Sequence, residues 1–157
     1  MHIDIYTDGS CSGNPGVGGY GAILKCGDHE RIVRGFTSGI TTNNCMELKA
    51  VTESIVWINK VQKKPCEITV YTDSNYVINC ATNKNKDGSK RKVGWFTGRA
   101  NGELWVQFIS EVMRGKHIVR FVKVKGHADD KTNIRVDSIA REECIKAKHA
   151  LLEGKHG

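Results

Sequence analysis

With 157 residues and 39% hydrophobic content, the chain suits one soluble domain built on one sizeable core. Its apolar runs all fall short of the ~18 residues of a membrane helix, and residues 1–5 lack the basic and apolar pattern of a secretory signal, so a cytoplasmic protein with no membrane contact is expected. The net charge of +7, from 24 Lys and Arg against 17 Asp and Glu, favours a polyanionic partner.

Residues 2 to 8 alternate, with Ile3 and Ile5 apolar and branched, and read as a strand. The glycine-rich stretch from Gly13 to Gly19 follows. A dinucleotide loop would need a helix immediately after it, whereas Tyr20 to Leu24 reads as a strand, so a hairpin or a tight loop close to a ligand is expected. Arg31 to Phe36 forms the next strand after a turn at Gly27-Asp28, which gives an antiparallel meander. From about Asn44 to Lys60, Leu48, Val51, Ile55 and Ile58 have the spacing of one buried helix face. Thr42, Asn43 and Asn44 are N-cap candidates, and Glu47 is expected in the first turn.

Pro65 breaks the chain before a strand from Ile68 to Tyr71, and a short helix is expected near Ser74. Lys84, Lys86, Lys90, Arg91, Lys92 and Arg99 then make a basic loop or protrusion. Leu104, Phe108, Ile109 and Val112 mark a helix ended by Gly115, His117 to Val124 is a strand, and Val136 to Leu151 shows the stripe of a last helix. The order predicts a mixed α/β sheet flanked by helices. No two of the six cysteines have zinc-knuckle spacing, and a chain of this length does not need disulfides, so they are read as reduced thiols that mostly fill the core.

Four acids stand out by context: Asp8 in Tyr6-Thr7-Asp8-Gly9-Ser10, Glu47 after Asn43-Asn44-Cys45-Met46, Asp73 in Tyr71-Thr72-Asp73-Ser74, and Asp137 beyond Lys125-Gly126-His127. Singly, an Asp after a strand is most often a turn or cap residue, and Glu47 a charge favoured by the helix dipole. Together they can converge. Adjacent parallel strands would bring Asp8 and Asp73 to one sheet edge, and converging carboxylates repel unless a divalent cation lies between them. His127, in a loop beside Gly126, can pass protons near neutrality.

The motifs Thr7-Asp8-Gly9-Ser10, Gly13-Asn14-Pro15-Gly16, Thr42-Asn43-Asn44-Cys45-Met46-Glu47-Leu48, Thr72-Asp73-Ser74 and Val124-Lys125-Gly126-His127, with Asp137, closely resemble the type 1 ribonucleases H over residues 2 to about 148. The resemblance implies an α/β ribonuclease H-like fold, a five-stranded mixed sheet with helices on both faces. It also implies a single domain over 1–157, with the basic protrusion at about 84–101. The implied activity is endonucleolytic hydrolysis of the RNA strand of an RNA–DNA hybrid, leaving 5′-phosphate and 3′-hydroxyl ends.

Asp8, Glu47, Asp73 and Asp137 match the family's catalytic acids, and His127 its mobile histidine. Hard carboxylate oxygens suit two Mg²⁺ ions, or Mn²⁺ in their place, about 3.5–4 Å apart. By resemblance Asp8 bridges both ions, Glu47 and Asp73 complete the site near the attacking water, and Asp137 holds the ion near the leaving 3′ oxygen. Cys11, Gly13, Asn14 and Asn75 match groups that read the RNA strand by its 2′-hydroxyls. Asn43 and Asn44 match positions that straddle the groove, and Thr42 with Asn101 resembles a pocket for a DNA phosphate. Lys90, Arg91, Lys92 and Trp95 lie in the stretch that matches the family's basic handle. No long exposed apolar face is apparent, so a monomer without an obligate protein partner is expected. A non-catalytic hybrid-binding module is disfavoured by the four intact acids, and a related nuclease of DNA junctions or ends by Asn43-Asn44 and the basic protrusion.

Overall fold

Alternation in the first strand decides the layering. Ile3 and Ile5 are buried on one face of the sheet with Leu48, Val51, Ile55, Ile58, Trp105 and Phe108. Tyr6 packs on the other face against Ile23, Val136 and Ile139. Side chains of a strand point alternately to opposite faces, so one short sequence seeds two cores. The computed structural model describes residues 1–81, 100–125 and 131–156.

The elements are β1 (His2–Ser12), β2 (Val17–Cys26), β3 (His29–Phe36), α1 (Asn43–Val61), β4 (Glu67–Thr72), α2 (Asn75–Ala81), α3 (Gly102–Gly115), β5 (Ile118–Lys123) and α4 (Lys131–His156). The five strands are ordered β3-β2-β1-β4-β5. The first three form the antiparallel meander, and β4 and β5 add parallel to β1. Helix α1, backed by α3, packs on one face and α4 on the other, so the expected mixed sheet with helices on both faces is present. Among the described residues, no helix is long and apolar enough to cross a membrane.

Two of the boundaries that move bear on the acids. β1 continues past Asp8, because its ladder with β2 runs on to Ser12 opposite Val17. Asp8 therefore sits inside a strand rather than at its end. α1 begins at Asn43, and the Thr42 hydroxyl caps it by accepting from the Cys45 N–H at 3.2 Å. That cap puts Glu47 in the second turn, not the first, and buried rather than at the helix end.

Helix α4 lies very close to β2. A Cβ on Gly19 would overlap the backbone of Glu143 and Cys144, and one on Gly21 would press Ile139 at 2.6 Å. Ion pairs fasten the outer side of the helix. Arg34 on β3 meets Glu142 at 2.6 Å and Glu143 at 3.3 Å, and Arg135 forms a two-pronged pair with Glu30 at 2.7 and 2.8 Å.

Where α3 ends, Gly115 is its last residue and Lys116 adopts the left-handed conformation with φ 54°. Gly115 is small because the His117 ring and the Asn59 amide lie against its Cα. His117 is buried with both ring nitrogens occupied. Its Nδ1 accepts from the Cys66 N–H at 3.0 Å, and its Nε2 lies 2.6 Å from Asn59 Oδ1. Asn59 in turn donates to the Glu111 carboxylate and carbonyl at 2.7 and 2.9 Å, tying α1 to α3.

Candidate active site

β1 and β4 run in parallel register with Tyr6 opposite Tyr71, so two residues further on Asp8 and Asp73 come side by side. Glu47 approaches from α1. One carboxylate oxygen from each of Asp8, Glu47 and Asp73 lies within 4.8 Å of the other two. The Gly9 N–H donates to Asp8 Oδ1 at 2.9 Å and to Glu47 Oε1 at 3.1 Å, which holds the two acids together.

That single amide cannot balance the charge. Burial pushes the Asp8 carboxyl up to about 6; bonds with Glu47 and the Gly9 amide offset part of the rise, while Asp137 and Asp73 add to it. Burial, then the Asp8 charge, raises Glu47 well above the ordinary carboxylate range. Glu47 is 8% exposed, and its Oε2 has no hydrogen-bond partner among the described residues. A buried acceptor left this way costs about 1–3 kcal/mol or more. A divalent cation between the three groups would remove both the repulsion and the orphaned oxygen. An all-carboxylate donor set fits a hard cation rather than a metal that prefers thiolate or imidazole.

Asp137, on α4, lines the same cavity as Thr7, Asp8, Asp73, Val124 and Lys125, but it stands outside the tight trio. Its Oδ2 lies 3.1 Å from Arg141 Nε, one helical turn along. Two residues here were not among the expected site residues. Lys125 brings a cation to the cavity wall, and Arg141 competes for the fourth acid. Each left a signal: Lys125 lies in the Val124-Lys125-Gly126-His127 motif, and Asp137 and Arg141 have i, i+4 spacing.

Beside the acids, the turn after β1 is joined to the start of α1. Gly16 and Thr41 exchange backbone bonds at 3.0 and 2.6 Å, and the Cys11 thiol lies 3.5 Å from both of their carbonyls. Gly13 has φ +74°, a conformation that favours glycine. The Asn14 side chain accepts from the Asn43 N–H at 3.2 Å. Cys11, Gly13, Asn14, Thr42, Asn43 and Asn44 are thus brought to one surface, with both α1 asparagines exposed. Asn75 opens α2 on another side, where the Lys123 ammonium donates to its Oδ1 at 2.5 Å. Asn101 donates to the Tyr76 hydroxyl at 3.2 Å. Thr42 uses its hydroxyl as the α1 cap, and Asn101, at the start of α3, bonds to Tyr76. His127, Lys90, Arg91, Lys92 and Trp95 fall outside the described residues.

The family model for RNase H matches residues 1–145. "Ribonuclease H" of Acetivibrio thermocellus is 43% identical over 148 residues, covering 92% of this chain and 95% of the relative. "Ribonuclease H" of Caldicellulosiruptor saccharolyticus is 45% identical over 143 residues, covering 88% and 93%. Among solved structures, the N-terminal RNase H domain of a Mycobacterium tuberculosis protein, determined as a fusion with maltose-binding protein, superposes with TM-score 0.72 at 22% identity, covering 96% of this chain and 98% of that one. LC11-RNase H1 in complex with an RNA/DNA hybrid superposes with TM-score 0.63 at 23% identity, covering 92% and 98%.

Proposed function

Because this chain belongs to the RNase H family and is a ribonuclease, we propose that it cleaves the RNA strand of RNA–DNA hybrids at the Asp8–Glu47–Asp73 cluster, with Asp137 as the fourth acid. The observation that supports this most is the crowding of three carboxylates around a buried, unpartnered oxygen of Glu47. A structural cluster of acids would be paired with Arg, Lys or amide donors; here one backbone amide serves two of them.

Two Mg²⁺ ions, held by Asp8, Glu47, Asp73 and Asp137, would supply charge neutralisation and an activated water for in-line displacement at phosphorus. The protein's own part is positioning. Parallel strands fix Asp8 beside Asp73, the Gly9 amide fixes Glu47 against Asp8, and α4 sets the height of Asp137. Attack by water at phosphorus with departure of the ribose 3′ oxygen leaves a 5′-phosphate and a 3′-hydroxyl, and His127 would move a proton during product release.

The joined surface of Cys11, Gly13, Asn14, Asn43 and Asn44 would meet the minor groove, where an RNA strand presents its 2′-hydroxyls. Asn75 would add a second contact to the RNA strand. Thr42 and Asn101 would approach a DNA phosphate, and Lys90, Arg91, Lys92 and Trp95 would add backbone contacts on the DNA side. The protein would act as a monomer in the cytoplasm.

The test is a substrate panel. With Mg²⁺, the purified protein should cut the RNA strand of a hybrid and leave double-stranded RNA and double-stranded DNA intact. The fragments should carry ligatable 5′-phosphates. Hybrid binding without cutting, or equal cutting of DNA, would reject this reading.

A further inference from the structure

Lys123 and Asn75 are 48 residues apart in sequence and meet beside the site. The backbone around them is fixed. Lys123 is the last residue of β5 and sits in register with Thr72 of β4, and the Val124 N–H donates to the Thr72 carbonyl at 2.9 Å. The Thr72 hydroxyl then accepts from the Ser74 N–H at 3.1 Å, and the Ser74 hydroxyl from the Val77 N–H at 3.1 Å, so the turn that leads from Asp73 into α2 is bonded at both ends. Onto this frame the Lys123 ammonium donates to Asn75 Oδ1 at 2.5 Å.

An ammonium has donors and no acceptor, so only the amide oxygen can face it. The Asn75 NH₂ group must then point away from Lys123, into the solvent in front of α2, where the residue is exposed. A free asparagine can turn either edge of its amide to a ligand; this one is held with its donor edge outward. A donor pair fits the acceptors of a minor groove, namely pyrimidine O2, purine N3 and the ribose oxygens.

We propose that Lys123 is a positioning residue that locks the Asn75 amide with its donor edge toward the RNA strand, so that this contact selects hydrogen-bond acceptors of the groove. The inference rests on the hybrid-cleaving reading above. Lys123 acts through Asn75, and its own charge is turned to the amide oxygen rather than to a phosphate.

The experiment is a double-mutant cycle on the full chain with Mg²⁺ and a hybrid substrate, reading KM, kcat, salt dependence and melting temperature for K123M, K123R, N75A and the K123M/N75A pair. Loss of one oriented hydrogen bond should raise KM about three- to tenfold in K123M, with kcat within about twofold and an unchanged melting temperature. K123R, which can still donate, should recover most of the loss. In the N75A background K123M should add almost nothing, because the amide it orients is gone. The proposal is overturned if K123M is silent. It is equally overturned if K123M costs the same with and without Asn75 and lowers the log–log salt slope by about one, which is the signature of a direct phosphate contact. Failure of wild type to cut the hybrid would instead sink the underlying functional reading, so the two failures are distinguishable.

Discussion

The two ends of β4 hold buried polar clusters of opposite character. At its N-terminal end His117, Asn59 and Glu111 form a closed set, in which each ring nitrogen and the amide NH₂ have a partner within 3.0 Å. At its C-terminal end Asp8, Glu47 and Asp73 crowd together with like charges and leave Glu47 Oε2 unsatisfied among the described residues. Burial lowers the His117 pKa, and Nδ1, which accepts from the Cys66 N–H, leaves Nε2 to donate to Asn59. Burial raises Asp8 and Glu47, and nothing among the described residues completes them. A polar cluster that closes on itself is architecture; one that stays open is built for something brought from outside.

The largest expected effect separates the two ends by activity. Asp73→Asn should lower hybrid cleavage by about a thousandfold or more while hybrid binding persists, measured by single-turnover cleavage beside a binding titration. Chelation of divalent ions should do the same to the wild type, and cleavage that survives either treatment would break the contrast.

The closed end should respond in stability instead. Asn59→Ala leaves a buried imidazole N–H unpaired, and by the ordinary cost of such a group, about 1–3 kcal/mol, should lower Tm by roughly 3–10 °C. Its kcat should stay near wild type at 25 °C. Because the folded-state pKa of His117 lies below that of the unfolded chain, the unfolded state takes up more protons as pH falls below ~6.5. The stability contributed by this cluster is therefore present above that pH and fades below it, and Asn59→Ala should alter the acid limb of a Tm–pH curve.

The open end should give the reverse sign. Asp8 is raised from 3.8 to about 6 in the folded state without metal, so folding binds an extra proton between those values. Metal-free protein should lose stability as pH rises through that window. Asp8→Asn should then raise the Tm of chelated protein by a few degrees at pH 7 and by nearly nothing at pH 3.5. Added Mg²⁺ should raise the Tm of wild type more than that of the variant. A destabilised Asp8→Asn protein at pH 7 would mean that the acids are held by partners after all.

The smallest effect concerns the fourth acid. Arg141→Ala frees Asp137 from a partly exposed ion pair. An exposed pair is worth about 0.2–1 kcal/mol, so Mg²⁺ affinity by calorimetry should improve by roughly twofold to fivefold. Weaker binding would assign Arg141 a supporting role instead.

Local signals explain what could be read in advance. The stripe Leu48, Val51, Ile55, Ile58 is an i, i+3, i+4 pattern, and all four are buried without exposure. Asp8 and Asp73 were legible because each follows a branched strand and a threonine, and parallel pairing then makes them neighbours. The end of β1 was not legible. Ser10, Cys11 and Ser12 have no apolar alternation and are held in the strand only by the ladder with β2. The turn of α1 that bears Glu47 depended on which of Thr42, Asn43 and Asn44 caps, and three competent caps in a row leave that open. The His117–Asn59 bond joins residues 58 apart, and Lys123–Asn75 joins residues 48 apart, so no local pattern could announce either.

The bare backbone of β2 beneath α4 has a genetic corollary. Gly19 and Gly21 touch Cys144 and Ile139, the residues that seat the helix just beyond Asp137. Adding one methyl at either position should lift that helix and move the fourth acid with it, while every acid keeps its identity. A screen for folded but sluggish variants should therefore return hits at these two glycines, although neither lines the cavity that holds the acids.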